Sequence, residues 1–577
     1  MNKLACLILI FCGIQLNARS QDLFPGANQH WADSVFNTLS IDQKIGQLMM
    51  PRGNYSGQVY DTARLYRIVR DYHVGGLVMF AGQPINQARL VNQLQGMAEV
   101  PLFIGMDLEW GLAMRLDSTV RFPYAMTLGA MRGQTELLEE MGVQVAQQCR
   151  RMGVHINYAP VVDVNNNPSN PVINFRSFGE NPQAVANKAV AYMRGLQRGG
   201  VITSAKHFPG HGDTGTDSHY DLPLITHGRP RLDSVELFPF RELIKNGLQG
   251  IMVAHLSIPS LDDTKNLAST MSKKIVTDLL RNDMGFKGLI FTDAMDMQGA
   301  VKYFPEGTAN VKALLAGNDV LETLFDVPAA FSAIKKALEN GEISQTEIDG
   351  RVKTILRAKA WAGLDKYQPI ATNNLLADLN PAVSATLNQM LADKTITVLR
   401  NQKNVLPLKK AEQLKIATLQ IGTPSASAAQ PKDFQQAFNA QGNMAHFQLN
   451  DKSGAEAIAK VRQDLKRYDL VIVAVDGMSI RPAKNYNIAP STQQLVKEFA
   501  NSPKAIVVVF GNAYTLDKFE NLGKAQALVL TYQEGKEQQK AAAKLIFGAI
   551  GAQGKLPVSV NQTYRYGNGL STEALKK

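Results

Sequence analysis

Residues 205–223, AKHFPGHGDTGTDSHYDLP, gather three histidines, three aspartates and a lysine in one short stretch. Three chemistries could use them. His207 and His211 stand four apart, the spacing of a helical zinc site, but Pro209 and Gly210 between them break the helix that would bring both rings to one face, so no metal is expected. A phosphate-cradling loop would need a glycine-rich turn ending in Gly-Lys-Ser/Thr; that order is absent, and Asp213, Asp217 and Asp221 would repel phosphate. The third chemistry is acid/base work by Asp217-Ser218-His219, where a carboxylate two residues from an imidazole orients one ring nitrogen and leaves the other for a substrate. Taken alone, the triplet reads more readily as a turn closed by local side-chain hydrogen bonds. It is not a serine-protease triad, since Ser218 sits between its supposed partners and cannot reach across to both.

These groups need a frame. The apolar GGVITSA before Lys206 predicts a buried strand, which places Lys206 and His207 where strand gives way to loop, and Gly210, Gly212 and Gly215 are expected to keep that loop supple. Similar apolar runs recur as IGQLMM (45–50), GGLVMF (75–80), PLFIGMD (101–107), VHINYAP (154–160), GIMVAH (250–255), LIFTD (289–293) and DVLE (319–322). Helical patterns over 136–151, 183–198 and 272–282 fall between them, so the fold class predicted is α/β, a (β/α)₈ barrel over residues 22–366. The runs end in Asp107, Lys206-His207, His255, Asp293 and Glu322, and in such a barrel these C-terminal strand ends share one mouth. The alternative for any one of them is a helix cap or a turn closure.

Residues 367–382 turn polar and are expected to be a linker. Beyond them TITVLR, KIATLQIG, DLVIVAVD, AIVVVFG and ALVLTY predict five strands with crossover helices, an α/β sandwich over 383–577 that packs on the barrel without a dinucleotide fingerprint. The chain as a whole, 45% hydrophobic and 19% charged, has the composition of a globular protein. Its net charge of +11 is not concentrated in any Lys/Arg block, so no nucleic-acid partner is expected; weak attraction to an anionic envelope polymer is. Residues 1–21 carry a lysine, an apolar run and a small polar end, the pattern of a cleaved signal peptide, and predict a periplasmic or secreted protein with no integral membrane span. The bulky Phe11 before Cys12 argues against lipid attachment there, and cleavage would leave only Cys149.

AKHFPGHGDTGTDSH (205–219), MDLEWGLAMRL (106–116), RSFGENP (176–182), IMVAHLSIPSLD (251–262) and FTDAMDM (291–297) together resemble glycoside hydrolase family 3, in its beta-N-acetylglucosaminidase branch. TITVLRNQKNVLPL (395–408) and GKLPVSV (554–560) are similar to that family's second domain. The resemblance implies a retaining exo-glycosidase without cofactor or metal, acting on terminal beta-linked GlcNAc in peptidoglycan fragments such as muropeptides, or in other glycans. It makes Asp293 the nucleophile, His219 the acid/base and Asp217 its orienting partner, with Asp107, Arg115, Arg176, Lys206 and His207 lining the sugar pocket. Trp110, where many relatives carry glycine, either stacks on a sugar or fills the rim. A phosphorylase is an alternative, because a histidine acid/base would not repel incoming phosphate. Other family 3 glycosidases lack the DSH loop. A non-catalytic glycan binder is disfavoured by the presence of all three reacting groups.

Overall fold

The computed structural model describes residues 22–53, 61–218, 220–324, 326–422 and 431–576. The expected signal segment, 1–21, and His219 lie outside the described residues. In the first half, eight parallel strands follow one another in chain order: β1 (Met49–Met50), β2 (Gly76–Val78), β3 (Phe103–Met106), β4 (Ile156–Asn157), β5 (Ile202–Phe208), β6 (Gly250–Val253), β7 (Leu289–Thr292) and β8 (Leu321–Glu322). β2 to β7 form one sheet and β1 pairs with β8. Backbone bonds from Val78 N to Pro51 O and from Thr292 N to Val320 O, each 3.0 Å, join the two pieces into a barrel. Every strand residue is buried, which is why these segments read as unbroken apolar runs rather than as alternation. Inside the barrel Tyr158 meets Phe291 edge-on at 5.6 Å, and its hydroxyl lies where a Cβ on Gly105 would be, 2.5 Å away. Only glycine fits that position of β3.

Two predicted elements differ. The first half of IGQLMM is the end of a helix, Ile41–Gln47, with the strand confined to Met49–Met50: Ser40 and Gln43 form a capping box that starts a helix through Ile45, and tertiary pairing with β8 claims only the last two residues. The helix expected over 272–282 runs over Lys274–Asp283 with the wider π pitch.

The second half is a six-stranded sheet in the order β11 (Ala445–Leu449), β10 (Ile416–Ile421), β12 (Leu470–Val475), β13 (Ala505–Val509), β14 (Ala527–Leu530), β9 (Thr397–Asn401), all parallel except β9 at one edge. β11 is absent from the sequence reading because an edge strand is covered on few positions; four of its five residues are only partly buried or exposed, so AHFQL shows no apolar run. The segment read as linker is fixed to the barrel. It contains the helix Leu375–Asp378, and Arg151 bonds Asp378 Oδ2 at 2.9 Å and the Ala371 carbonyl at 2.6 Å.

The domains meet closely. Gln533 Oε1 accepts from Tyr124 N (2.9 Å) and Thr127 Oγ1 (2.7 Å), and Glu180 accepts from Ser559 N and Oγ at 2.6 and 2.7 Å. A Cβ on Gly179 would fall 2.4 Å from the Pro557 carbonyl, so backbone lies against backbone there. Trp110 meets Tyr124 edge-on at 4.9 Å and Phe175 at 6.0 Å, packed against the second domain's apolar core; it is a wedge between domains as well as part of the cavity wall.

Candidate active site

Parallel strands deliver their C-terminal ends to one side, and there the predicted groups converge. Asp107 follows β3, Lys206 and His207 lie in the last turn of β5, and Asp293 follows β7. Arg176 sits in the short turn Asn174–Arg176 after β4, and Arg115 follows the turn Leu112–Met114 after β3. These residues, with Asp217, Ser218 and Glu322, line one cavity of about 290 Å³. Ligand pockets commonly run from about 300 Å³ upward, so the space suits a single sugar ring.

The cavity wall is an ion network. Lys206, 2% exposed, places Nζ 2.6 Å from Asp107 Oδ1 and 3.1 Å from Glu109 Oε1. Arg115 bonds the other oxygen of Asp107. Arg176 grips Glu109 with a fork, Nη2 to Oε1 at 2.7 Å and Nε to Oε2 at 3.0 Å. Burial opposes the charge of both acids, yet Lys206 and Arg115 hold Asp107 well below the usual carboxylate range, and Arg176 and Lys206 hold Glu109 at about 2. Glu109 is absent from the sequence reading, although its place two residues beyond Asp107 in DLEWG puts it on the same run of chain. It is the acid that holds two cations in register.

The loop after β5 is organised by another buried acid the sequence did not single out. Asp163 Oδ1 accepts from His207 N (3.2 Å) and His211 N (2.7 Å), while Oδ2 lies 2.7 Å from His207 Nδ1. The imidazole is thereby fixed with Nε2 toward Arg176, 3.4 Å away. His211 is buried between Thr214 Oγ1 (2.7 Å) and Ser218 Oγ (3.2 Å), and burial, aided by His207, lowers its pKa to about 4. The glycines differ from the expectation of suppleness. A Cβ on Gly212 would stand 1.9 Å from the Val164 carbonyl, so it permits close packing, and Gly210 has φ +131°; only Gly215 faces open space. Replacing Asp163 with alanine frees two loop N–H groups and the His207 ring. The expected outcome is a stability loss of about 3 kcal/mol and faster amide exchange through residues 207–214, read by hydrogen-exchange mass spectrometry.

Asp293 is held from behind: its N–H donates to Val253 O and its Oδ1 accepts from Ala294 N, both at 2.8 Å. His255, at the end of β6, does not line the cavity. Its Nε2 lies 3.0 Å from Ala294 O and its Nδ1 2.6 Å from Thr270 Oγ1, so it braces the backbone beside Asp293. Glu322, 3% exposed, ends β8 with Oε2 unpaired among the described residues. Burial, and then the Asp107 and Asp293 carboxylates, push its carboxyl well above the ordinary range against the pull of Lys206, so it is biased toward the neutral acid.

Residues 40–358 match the glycosyl hydrolase family 3 N terminal domain and residues 396–573 the family's C-terminal domain. The chain belongs to glycosyl hydrolase family 3. Among family 3 proteins it is similar to beta-hexosaminidase A of Pseudoalteromonas piscicida, 28% identical over 86% of this chain and 91% of that one. It is 26% identical to a beta-N-acetylglucosaminidase/beta-glucosidase of Cellulomonas fimi, over 87% and 90% of the two chains. The solved family 3 beta-N-acetylglucosaminidase from Paenibacillus sp. str. FPU-7 superposes with a TM-score of 0.77 at 30% identity, covering 91% of this chain and 99% of that one. The barrel and sandwich are thus the family 3 architecture, and the cavity lies at the barrel mouth where such folds carry their chemistry.

Proposed function

We propose that this protein is an exo-acting, retaining beta-N-acetylhexosaminidase that removes a terminal beta-linked GlcNAc from peptidoglycan fragments or related glycans outside the cytoplasm. The observation that carries the reading is one small cavity that unites Asp293, Asp217 and the Asp107–Lys206–Glu109–Arg176 network; the similarity to hexosaminidases gives it its sugar. In the first step Asp293 attacks the anomeric carbon as the glycosidic C–O bond breaks, and His219 gives its proton to the leaving oxygen. In the second, His219 takes a proton from water, whose oxygen displaces the Asp293 carboxylate and restores the original anomeric configuration. Asp217 orients His219 and favours its protonated form. Asp107, Lys206, His207, Arg176 and Arg115 hold the sugar's hydroxyl and acetamido groups, and their mutual ion pairs fix them before substrate arrives.

The test is initial hydrolysis of aryl beta-N-acetylglucosaminides beside the matching beta-glucosides. Turnover confined to the acetamido sugar supports the reading. His219→Ala is expected to lose roughly 10²–10⁴-fold on poor leaving groups, and far less on activated ones that depart without a proton. Equal loss across leaving groups removes His219 from the acid role, and a wild type inert on both sugars, with or without phosphate, removes the enzyme reading.

A further inference from the structure

The cavity is not made by the barrel alone. Arg481, on the loop after β12 of the second domain, also lines it. Its setting differs from that of every other cation in the wall. Arg52 is paired with Asp296 at 2.9 Å, Arg115 with Asp107, Arg176 with Glu109, and Lys206 with both acids. Arg481 is exposed, and among the described residues its guanidinium has no carboxylate or carbonyl partner. A paired cation has most of its field cancelled by its neighbour; an unpaired guanidinium offers its full charge and a planar fork of donors to whatever enters.

The loop that carries it is tied to the barrel. Asn512 Nδ2 bridges the Ile480 carbonyl (2.9 Å) and Asn174 Oδ1 (2.6 Å), so the residue next to Arg481 is bonded through one amide to the turn that bears Arg176. Arg481 N donates to Ser479 Oγ at 3.0 Å, and Ser479 N to the Tyr486 carbonyl at 2.8 Å, closing the loop on itself. Lys484, Asn485, Tyr486 and Asn487 all have φ between +51° and +57°, a left-handed run that side-chain-bearing residues keep only where the surroundings impose it. Tyr486 is buried at its centre.

Position gives the chemistry. Asp107, Lys206, Asp293 and Glu322 stand on strand ends and form the floor, and the volume suits one ring; a group supplied by the opposite domain therefore faces what lies beyond that ring. We propose that Arg481 is a specificity-determining residue of the leaving-group side, binding an oxyanion next to the scissile bond: a carboxylate on the departing sugar, or phosphate arriving to replace it. The assignment rests on the hexosaminidase reading above and adds the charge of the partner.

The test compares two beta-GlcNAc glycosides that differ only in the leaving sugar, one carrying a free carboxylate and the other its methyl amide. The ratio of their kcat/KM values, which cancels common effects of folding and donor binding, is expected to favour the acid about ten-fold in wild type. It should fall toward one in Arg481→Gln, drop below one in Arg481→Glu, and shrink with added salt in wild type only. A parallel arm with inorganic phosphate reads GlcNAc 1-phosphate: a yield that falls in Arg481→Gln while the ratio stays fixed assigns the anion as phosphate. A ratio and a phosphate yield both unchanged by Arg481→Gln and Arg481→Glu overturn the assignment and leave the hexosaminidase reading intact. A wild type that turns over neither glycoside overturns both.

Discussion

Asp293→Ala is expected to lower kcat by a factor on the order of 10⁴ or more while leaving the fold intact. The two halves of that expectation come from different contacts. The side chain accepts from Ala294 N, and the backbone of residue 293 is held independently by Val253 O and, one residue on, by His255. Because the backbone does not depend on the side chain for its place, Asp293→Ala is expected to cost on the order of 1 kcal/mol of stability, measurable as a small change in thermal midpoint. In the proposed mechanism the chemistry has no comparable substitute: the carboxylate is the group that would form the glycosyl ester, and without it the anomeric carbon would have to be attacked directly by water. Azide added to the alanine variant is expected to enter from the vacated face and yield the alpha-glycosyl azide, a product of opposite configuration. Retention of activity within about ten-fold of wild type would move the nucleophile elsewhere in the cavity, with Glu322 as the next carboxyl to test.

Glu109→Gln should do the reverse, costing more stability than any substitution on the cavity floor. Glu109 neutralises Arg176 through a fork and Lys206 through a 3.1 Å contact; Lys206 is buried and Arg176 partly so, its side chain 16% exposed. With its charge gone, one buried and one partly buried cation face each other with Asp107 as their nearest acid, and breaking a pair of this kind costs up to about 3–5 kcal/mol. The pH dependence carries a definite sign. In wild type the Glu109 pKa is depressed to about 2, so its contribution is present above the unfolded value near 4.3 and is lost as pH falls from there through about 2. Lys206 is raised by Asp107 and Glu109 against burial, so its contribution is full below the unfolded value near 10.4 and is lost as pH rises through the folded one. In Glu109→Gln the Lys206 pKa moves down, the unfolded chain then binds the extra proton, and the variant gains stability as pH rises toward 10.4. The difference in denaturation midpoint between the two proteins is therefore expected to be widest between about pH 5 and 8 and to narrow on both sides. A difference under about 1 kcal/mol, or one flat with pH, would mean that water or Asp107 already screens the pair.

Much of this was legible in the chain. Barrel strands are buried on both faces, so each appears as a short apolar run, and the polar residue that ends the run marks the mouth; Asp107, Lys206, His207 and Asp293 were accessible on that ground alone. The family motifs, being contiguous, also lay in plain sight. Asp163 and Glu109 were not readable as parts of the site, and His255, read from its strand end as facing the mouth, instead braces the backbone beside Asp293. Each is a buried polar group whose meaning depends on which cation or backbone group the fold brings to it, and a single carboxylate in a sequence carries no record of a partner 44 or 67 residues away. The edge strand β11 escaped for a related reason, since half-covered strands leave no hydrophobic run. Arg481 lay farthest out of reach. It stands 188 residues beyond Asp293 in the chain, on another domain, and only the packing of Trp110, Asn174 and Asn512 across the domain junction decides that its charge faces the same cavity. Local sequence determines which segments are buried and where they end; the pairing of charges across the chain is settled by tertiary packing, because a buried ion is tolerable only where a specific partner arrives.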